Sequence, residues 1–447
     1  MKKATVTTTI VKEQAQALLD FIDASPSPWH AVATVSQQLI AQGYQALSET
    51  SAWQLTPSGK YFVVRGGASI IAFSMGSQPL VETGFRLIGA HTDSPGLRLK
   101  PQAAFGSSGL IRIGVEVYGG PILATFADRD LSIAGRVIVK TMVKSGADIQ
   151  THLIKFDQAL MRLPNLAIHM NREVNDKGLK FQKQDELPLI FGESKEGIEA
   201  DQQFMQQIAD ALKVNTADIL TWELNVFDTQ KGGFWGANQE FIANSQLDNL
   251  ASCHAALTAL LANNNSATTN IIALFDHEEV GSESASGASG SFLNDVISRI
   301  TTHENLNAAD KLRALAHSFF ISADMAHAYH PNFSGSYDSR HHVLVNKGVV
   351  IKSNCNHRYA SNADTTARFM QICNESDVPY QQYVHRTDLG CGSTIGPIIA
   401  AQLGVATVDV GCPMWAMHSL RESAGALDHH YMIRALSKAF SSNIQKP

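Results

Sequence analysis

An α/β fold is predicted, with a three-layer core on a mixed, mostly parallel sheet, interrupted by a smaller strand-rich inserted domain. From residue 240 onward, short apolar runs alternate with helical patterns, the rhythm of a sheet covered by helices on both faces. Between 97 and 239 that rhythm gives way to period-two alternation, the mark of half-buried strands. The 447 residues also exceed one ordinary domain of about 100–200 residues. The expected organisation is a first core portion at 1–96, the insertion at 97–239 and a second core portion at 240–447.

Taken in order, Leu18, Leu19 and Ile22 recur at helical spacing within 12–23, and Pro26 and Pro28 end that pattern. A second helix starts near Trp29 and stops at Gly43. Extended segments follow, closing with the apolar run 85–90 just before His91-Thr92-Asp93-Ser94-Pro95. In the insertion, Ile111, Ile113, Val115 and Val117 alternate with Arg112, Gly114 and Glu116, and 132–140 and 151–156 read similarly. The insertion ends in the Gly-rich passage Gly232-Gly233-Phe234-Trp235-Gly236. Strands are then expected at 270–275, 319–323, 349–352, 383–385 and 405–410, with helices at 248–262, 362–374, 394–402 and 427–442.

Composition narrows the function classes. Hydrophobic residues are 44% and charged residues 17%, as in an ordinary globular chain, so long disorder is a poor explanation for any segment. A net charge of −6 without a clustered basic stretch argues against a nucleic-acid partner. No apolar run approaches the ~20 residues needed to span a bilayer, so no membrane partner is expected. A Thr-rich stretch follows Lys2 and Lys3 where a signal peptide would need an apolar region. Cys253, Cys355, Cys373, Cys391 and Cys412 form no C-x-x-C pair, which points to free thiols in a reducing compartment. A cytoplasmic location is expected.

Several acidic or His-bearing motifs fall just past predicted strands: His91-Thr92-Asp93, Asp276-His277-Glu278-Glu279, Asp324 after Ser322-Ala323, and His418 within Ala416-Met417-His418-Ser419. In α/β sheets, loops at the carboxyl ends of strands converge, so distant segments can share one pocket. Asp248 opens a predicted helix and completes the set. Zinc accepts His nitrogen and carboxylate oxygen and keeps a position open in catalytic sites. Two zinc ions bring four positive charges; Asp248, Glu279, Asp324 and a bridging hydroxide would balance them, with His91 and His418 filling the shells uncharged. Asp248 is the natural shared ligand, and Glu278 can then serve as general base beside the bridging water. Asp93 is placed to orient the His91 ring.

Singly, these signals are weak. An H-x-D is usually a turn feature, a Glu-Glu pair is usually solvated surface, and Asp248 alone would pass as an N-cap. The run His277-Glu278-Glu279-Val280-Gly281 is not the H-E-x-x-H of helical zinc proteases, since Gly281 stands where the second His would.

Together, these strings resemble the aspartyl aminopeptidase family of co-catalytic zinc peptidases. The match adds Lys347-Gly348 through Lys352, Arg358-Tyr359-Ala360-Ser361-Asn362 and Cys391-Gly392-Ser393-Thr394-Ile395-Gly396-Pro397, all in the family's order from about residue 12 onward. The resemblance implies a three-layer zinc-peptidase core and a metalloaminopeptidase that removes N-terminal Asp or Glu from peptides. It implies two zinc ions per subunit, with manganese or cobalt as alternative occupants. His91, Asp248 and Asp324 match one ion's ligands, Asp248, Glu279 and His418 the other's, and Glu278 the base. Lys347 matches a lysine that reads the acidic side chain, with Arg358 and Tyr359 lining the same pocket. His169 matches a histidine that the inserted dimerisation domain offers to a neighbouring subunit, in dimers that assemble to a dodecamer. The chain departs from the commoner pattern at Phe126-Ala127, where Trp-Phe is usual, and at Asn346 and Val349, where His and Pro are common.

Two other readings stay open on the residues alone. One is a broader-specificity aminopeptidase or a deacylase on the same dinuclear core. The other is a non-catalytic assembly protein that keeps metals for folding, which Glu278 disfavours because a closed structural site has no use for it.

Overall fold

The structure is a computed structural model and describes residues 2–143, 146–263 and 267–442. The chain divides into two compact units, one formed by 1–93, 232–417 and 422–447, the other by 94–231 and 418–421.

The first unit is built on a nine-stranded sheet. Its order is Gln45–Leu47, Lys60–Arg65, Ser69–Ser74, Thr269–Phe275, Phe85–His91, Phe319–Ala323, Ala406–Gly411, Val349–Ser353 and Tyr380–Val384. Five of the eight pairings are parallel, including the central run that joins 269–275, 85–91, 319–323 and 406–411. The sheet is therefore mixed and mostly parallel, as expected.

Strand pleating sends alternate residues to opposite cores. Ile88, Ala90, Ile272 and Leu274 join one cluster, with the helices Lys2–Asp23, Pro28–Ala41, Leu247–Ala262, Ala363–Glu375 and Ala426–Ser441. Phe85, Leu87, Ile271, Ala273 and Phe275 join the other, with Phe292–His303, Ala308–Ala316 and Ile395–Leu403. That explains the apolar runs: both faces of these strands are covered, so most positions are apolar and the polar ones, such as Arg86 and Asn270, are themselves buried.

Several boundaries differ from the sequence reading. The first helix begins at Lys2 rather than near residue 12. The strand expected at 383–385 lies at Tyr380–Val384, where the adjacent Gln381 and Gln382 hid its start at the sheet edge. The two helices at 292–316 were not anticipated behind a Gly- and Ser-rich stretch.

A small five-stranded sheet also belongs to the first unit: Gly233–Trp235, Phe241–Asn244, Glu422–Gly425, Pro413–Trp415 and Ala326–His327. Because 233–235 pairs with 241–243, and 241–244 in turn with 422–425, the Gly-rich passage groups with the core, and the chain returns to the first unit at 232 rather than 240.

The second unit holds a six-stranded antiparallel sheet in the order Gly146–Lys155, Leu131–Val143, Ile219–Asp228, Gly96–Ser107, Leu110–Tyr118, Leu189–Glu193. One apolar face packs on the helix Ala200–Leu212 through Phe204 and Ile208, both fully buried. Residues 418–421 fall in this unit, which local sequence patterns give no reason to expect. Among the described residues, no helix is long and apolar enough to cross a membrane.

Candidate metal centre

Three neighbouring parallel strands deliver the central residues. His91 is the last residue of Phe85–His91, Asp276–Glu279 follow the end of Thr269–Phe275, and Asp324 follows Phe319–Ala323. Parallel pairing in register puts these carboxyl ends side by side, with Phe275 opposite His91. Asp248 sits at the start of Leu247–Ala262 with extended rather than helical dihedrals, so its side chain leaves the helix direction. Its backbone N–H donates to the buried Glu422 carboxylate at 3.0 Å.

The His91 ring is fixed at one nitrogen and available at the other. Nδ1 donates to the backbone carbonyl of Asp93 at 3.0 Å. Because a carbonyl only accepts, Nδ1 carries a proton, and it is Nε2 that would release its own proton and offer a lone pair to a cation. Around Nε2 lie Asp248 Oδ1 at 3.5 Å, Asp324 Oδ1 at 3.7 Å and Glu278 Oε2 at 4.0 Å. Ligand atoms of His91, Asp248 and Asp324 all fall within 4.8 Å of one another, as do those of His91, Glu278 and Glu279.

Asp93 was expected to orient His91 through its carboxylate. Its backbone carbonyl is the nearer partner; the carboxylate stands 3.5 Å from Nδ1 and accepts the N–H groups of Glu278 and Glu279, each at 3.1 Å. One buried side chain thus ties the His91 loop to the Glu pair. The pair itself lies in a tight turn with left-handed residues at His277 and Gly281 on either side.

Electrostatics describe a site short of positive charge. Burial opposes protonation of His91, but the Asp248, Asp324 and Asp93 carboxylates outweigh it and hold its pKa well above the ordinary value. Glu278 is also raised well above a normal carboxyl, chiefly by burial and further by Asp324, Glu279 and Asp93, against the pull of His91. Such crowding of buried carboxylates is costly without a cation. The donor set, imidazole nitrogen with carboxylate oxygens, is the one zinc takes, so the residues fit that metal.

The remaining expected residues are placed variously. His418 has φ +68, and its Nδ1 donates to the Gly120 carbonyl at 3.1 Å, so its Nε2 also presents a lone pair. Tyr359 is buried, and its ring lies 5.1 Å from the Lys352 ammonium. Arg358 and Lys347 are exposed, and His169 is exposed in a turn of the second unit.

Two functional candidates escaped the sequence reading. Lys352, rather than Lys347, reaches the cluster: it is 2% exposed, and its ammonium donates to the carbonyls of Asp324 and Met325 at 3.0 and 3.1 Å, 3.5 Å from Asp324 Oδ2. Asp409 is fully buried and accepts from the Ala360 N–H at 2.6 Å and the Thr394 hydroxyl at 2.6 Å, which fixes the loop bearing Tyr359. A charge inside an otherwise apolar run was the available signal for both.

Residues 21–440 match the family model described as aminopeptidase I zinc metalloprotease (M18). The chain is 45% identical over 433 residues to a probable M18 family aminopeptidase 2 of Ectopseudomonas mendocina, covering 96% of this chain and 99% of that protein. It is 46% identical over 434 residues to the Stutzerimonas stutzeri protein of the same description, covering 96% and 98%. Its fold matches a chain in the cryo-EM structure of the Ape4 and Nbr1 complex, with TM-score 0.93, 37% identity and coverage of 97% and 86%. A chain of the S. cerevesiae mApe1 dodecamer matches with TM-score 0.84, 27% identity and coverage of 96% of both. The chain belongs to the M18 family of aminopeptidase I zinc metalloproteases and is a zinc-dependent aminopeptidase.

Proposed function

We propose that this aminopeptidase uses two zinc ions per subunit and prefers peptides beginning with aspartate or glutamate. His91, Asp248 and Asp324 would hold one ion and Asp248, Glu279 and His418 the other, with the Asp248 carboxylate shared. Bound there, zinc supplies Lewis acidity that lowers the pKa of water and polarises the scissile carbonyl. The chain's own part is to place the groups around it. Asp93 holds Glu278 and Glu279 by their N–H groups, and the Glu278 carboxylate takes the proton of the attacking water and returns it to the leaving amine. Lys352 offsets the charge of Asp324 and fixes its orientation. The observation that carries the reading is the His91 Nε2 atom ringed by the Asp248, Asp324 and Glu278 carboxylates.

Lys347 is the proposed reader of the substrate's acidic side chain, with Arg358 and Tyr359 in the same pocket. We also propose a homo-oligomer in which His169 serves a neighbouring subunit. The dodecameric yeast relative supports this, and so do Leu166, Ile168 and Met170 beside His169, which are 64, 48 and 75% exposed. Apolar side chains gathered on one exposed loop favour a covering partner. Exposed Cys355 and half-buried Cys391 suit a reducing, cytoplasmic setting.

The test is a panel of aminoacyl amides and N-acylated amino acids assayed alongside elemental analysis. Faster hydrolysis of Asp and Glu amides, with two zinc ions per chain, is expected. Activity restricted to N-acylated substrates would reject the peptide specificity, and one ion per chain would reject the shared-ligand arrangement.

A further inference from the structure

The loop that carries Lys347 is gripped from both sides by the first turn of the C-terminal helix. Asp428 is the third residue of Ala426–Ser441 and is fully buried. Its carboxylate faces three successive backbone amides. Oδ2 accepts the Asn346 N–H, Oδ1 accepts the Gly348 N–H at 2.9 Å, and the Lys347 N–H also interacts with it. Asn346 has φ +59 and Gly348 φ +108, the alternation that turns consecutive N–H groups into an anion-binding nest. No other residue fits easily at 348, because a Cβ there would run into the Pro379 carbonyl.

The grip is reciprocal. The Asn346 side-chain oxygen accepts the Leu427 N–H at 2.9 Å, which caps the same helix turn, and its amide group donates to the Glu240 carbonyl at 2.9 Å. Loop and helix terminus therefore hold one another with little freedom to shift. Lys347 is the one residue of the three whose side chain is exposed. The strand Val349–Ser353 starts directly after it and carries Lys352 to Asp324.

We infer that Asp428 is a positioning residue for substrate selectivity: by clamping the backbone on both sides of Lys347, it aims that ammonium at the acidic side chain of the substrate. The inference rests on the proposed role of Lys347. A buried carboxylate between three amides is a strong device to spend on a turn of three residues, 346–348, of which only Lys347 has an exposed side chain. Burial outweighs the amide hydrogen bonds and pushes the Asp428 carboxyl up to about 7, so the arrangement carries a real cost in the folded protein.

The experiment compares D428N, N346A and K347A with the unaltered zinc-loaded enzyme on Asp, Glu, Ala and Leu aminoacyl amides, together with zinc content and melting temperature. D428N loses one carboxylate acceptor, and N346A loosens the clamp from the loop side without touching the buried carboxylate. Both are expected to lower kcat/KM for Asp and Glu amides by about tenfold, mainly through KM, while Ala and Leu amides change little and zinc content stays constant. K347A should remove the same preference. If K347A loses the acidic preference but D428N and N346A keep it, the positioning role is wrong and the reading of Lys347 stands. If K347A keeps the preference, the reading of Lys347 fails and this inference falls with it. Equal losses on all four substrates, tracking a lower melting temperature, would mark Asp428 as structural only and overturn the proposal.

Discussion

Glu278 and Asp93 sit a few ångströms apart and are expected to fail in different ways when altered. Glu278→Gln keeps the shape and the backbone contact to Asp93 but removes the proposed base, so kcat should fall by about 10²–10⁴-fold with zinc content unchanged. Stopped assays alongside metal analysis would check this, and near-normal turnover would remove Glu278 from the mechanism. Asp93→Ala instead deprives two N–H groups of their shared acceptor. Zinc affinity should drop by about 10–100-fold, as when other groups that orient metal ligands are removed, and chelator competition measures it. Asp428 adds a pH signature. Its carboxyl is at about 7 in the folded chain and near 4 when unfolded, so across pH 4–7 the native state holds a proton that the unfolded state has released. Its contribution to stability is therefore greatest below pH 4 and is lost as pH rises through 7. Denaturant titrations of D428N should show a shallower fall over that window than the unaltered protein.

Among the elements, the strand Ala406–Gly411 matters because it runs beside Asp324. The Asp324 N–H donates to the Val410 carbonyl at 2.9 Å, and a Cβ on Gly411 would collide with the Asp324 carbonyl. Gly411→Ala should push Asp324 off its position and lower zinc occupancy while leaving most of the sheet intact. Zinc content read against circular dichroism separates that outcome from general unfolding. The helix Leu247–Ala262 shows why element boundaries alone mislead. Its place at a helix start would let Asp248 pass as an ordinary N-cap, yet its extended dihedrals and its N–H on Glu422 set it apart from one, in keeping with the ligand role expected of it.

For the whole molecule, the crowding of Asp93, Asp248, Glu278 and Asp324 around His91 predicts a stability that depends on bound metal. Chelation should abolish activity and lower the melting temperature, and added zinc should restore both. At free zinc about 100 times its dissociation constant, the stabilisation would be about 2.7 kcal/mol. Calorimetry with and without chelator tests this, and an unchanged melting temperature would count against a buried, cation-dependent centre.

The sequence by itself determined the layer architecture, since short apolar runs such as 271–275 and 319–321, alternating with helical patterns, fit strands covered on both faces. It also supplied the candidates for a metal cluster, because His and carboxylates after strand ends can converge on one edge of a sheet, although each signal was weak until the strings were read together. Only the tertiary structure decided which groups hold those ligands still. Lys352, Asp409, Glu422 and Asp428 each act on a partner at least 28 residues away, through contacts that no local pattern encodes. A buried charge declares its purpose only through what it touches, and strand order and helix docking set what it touches.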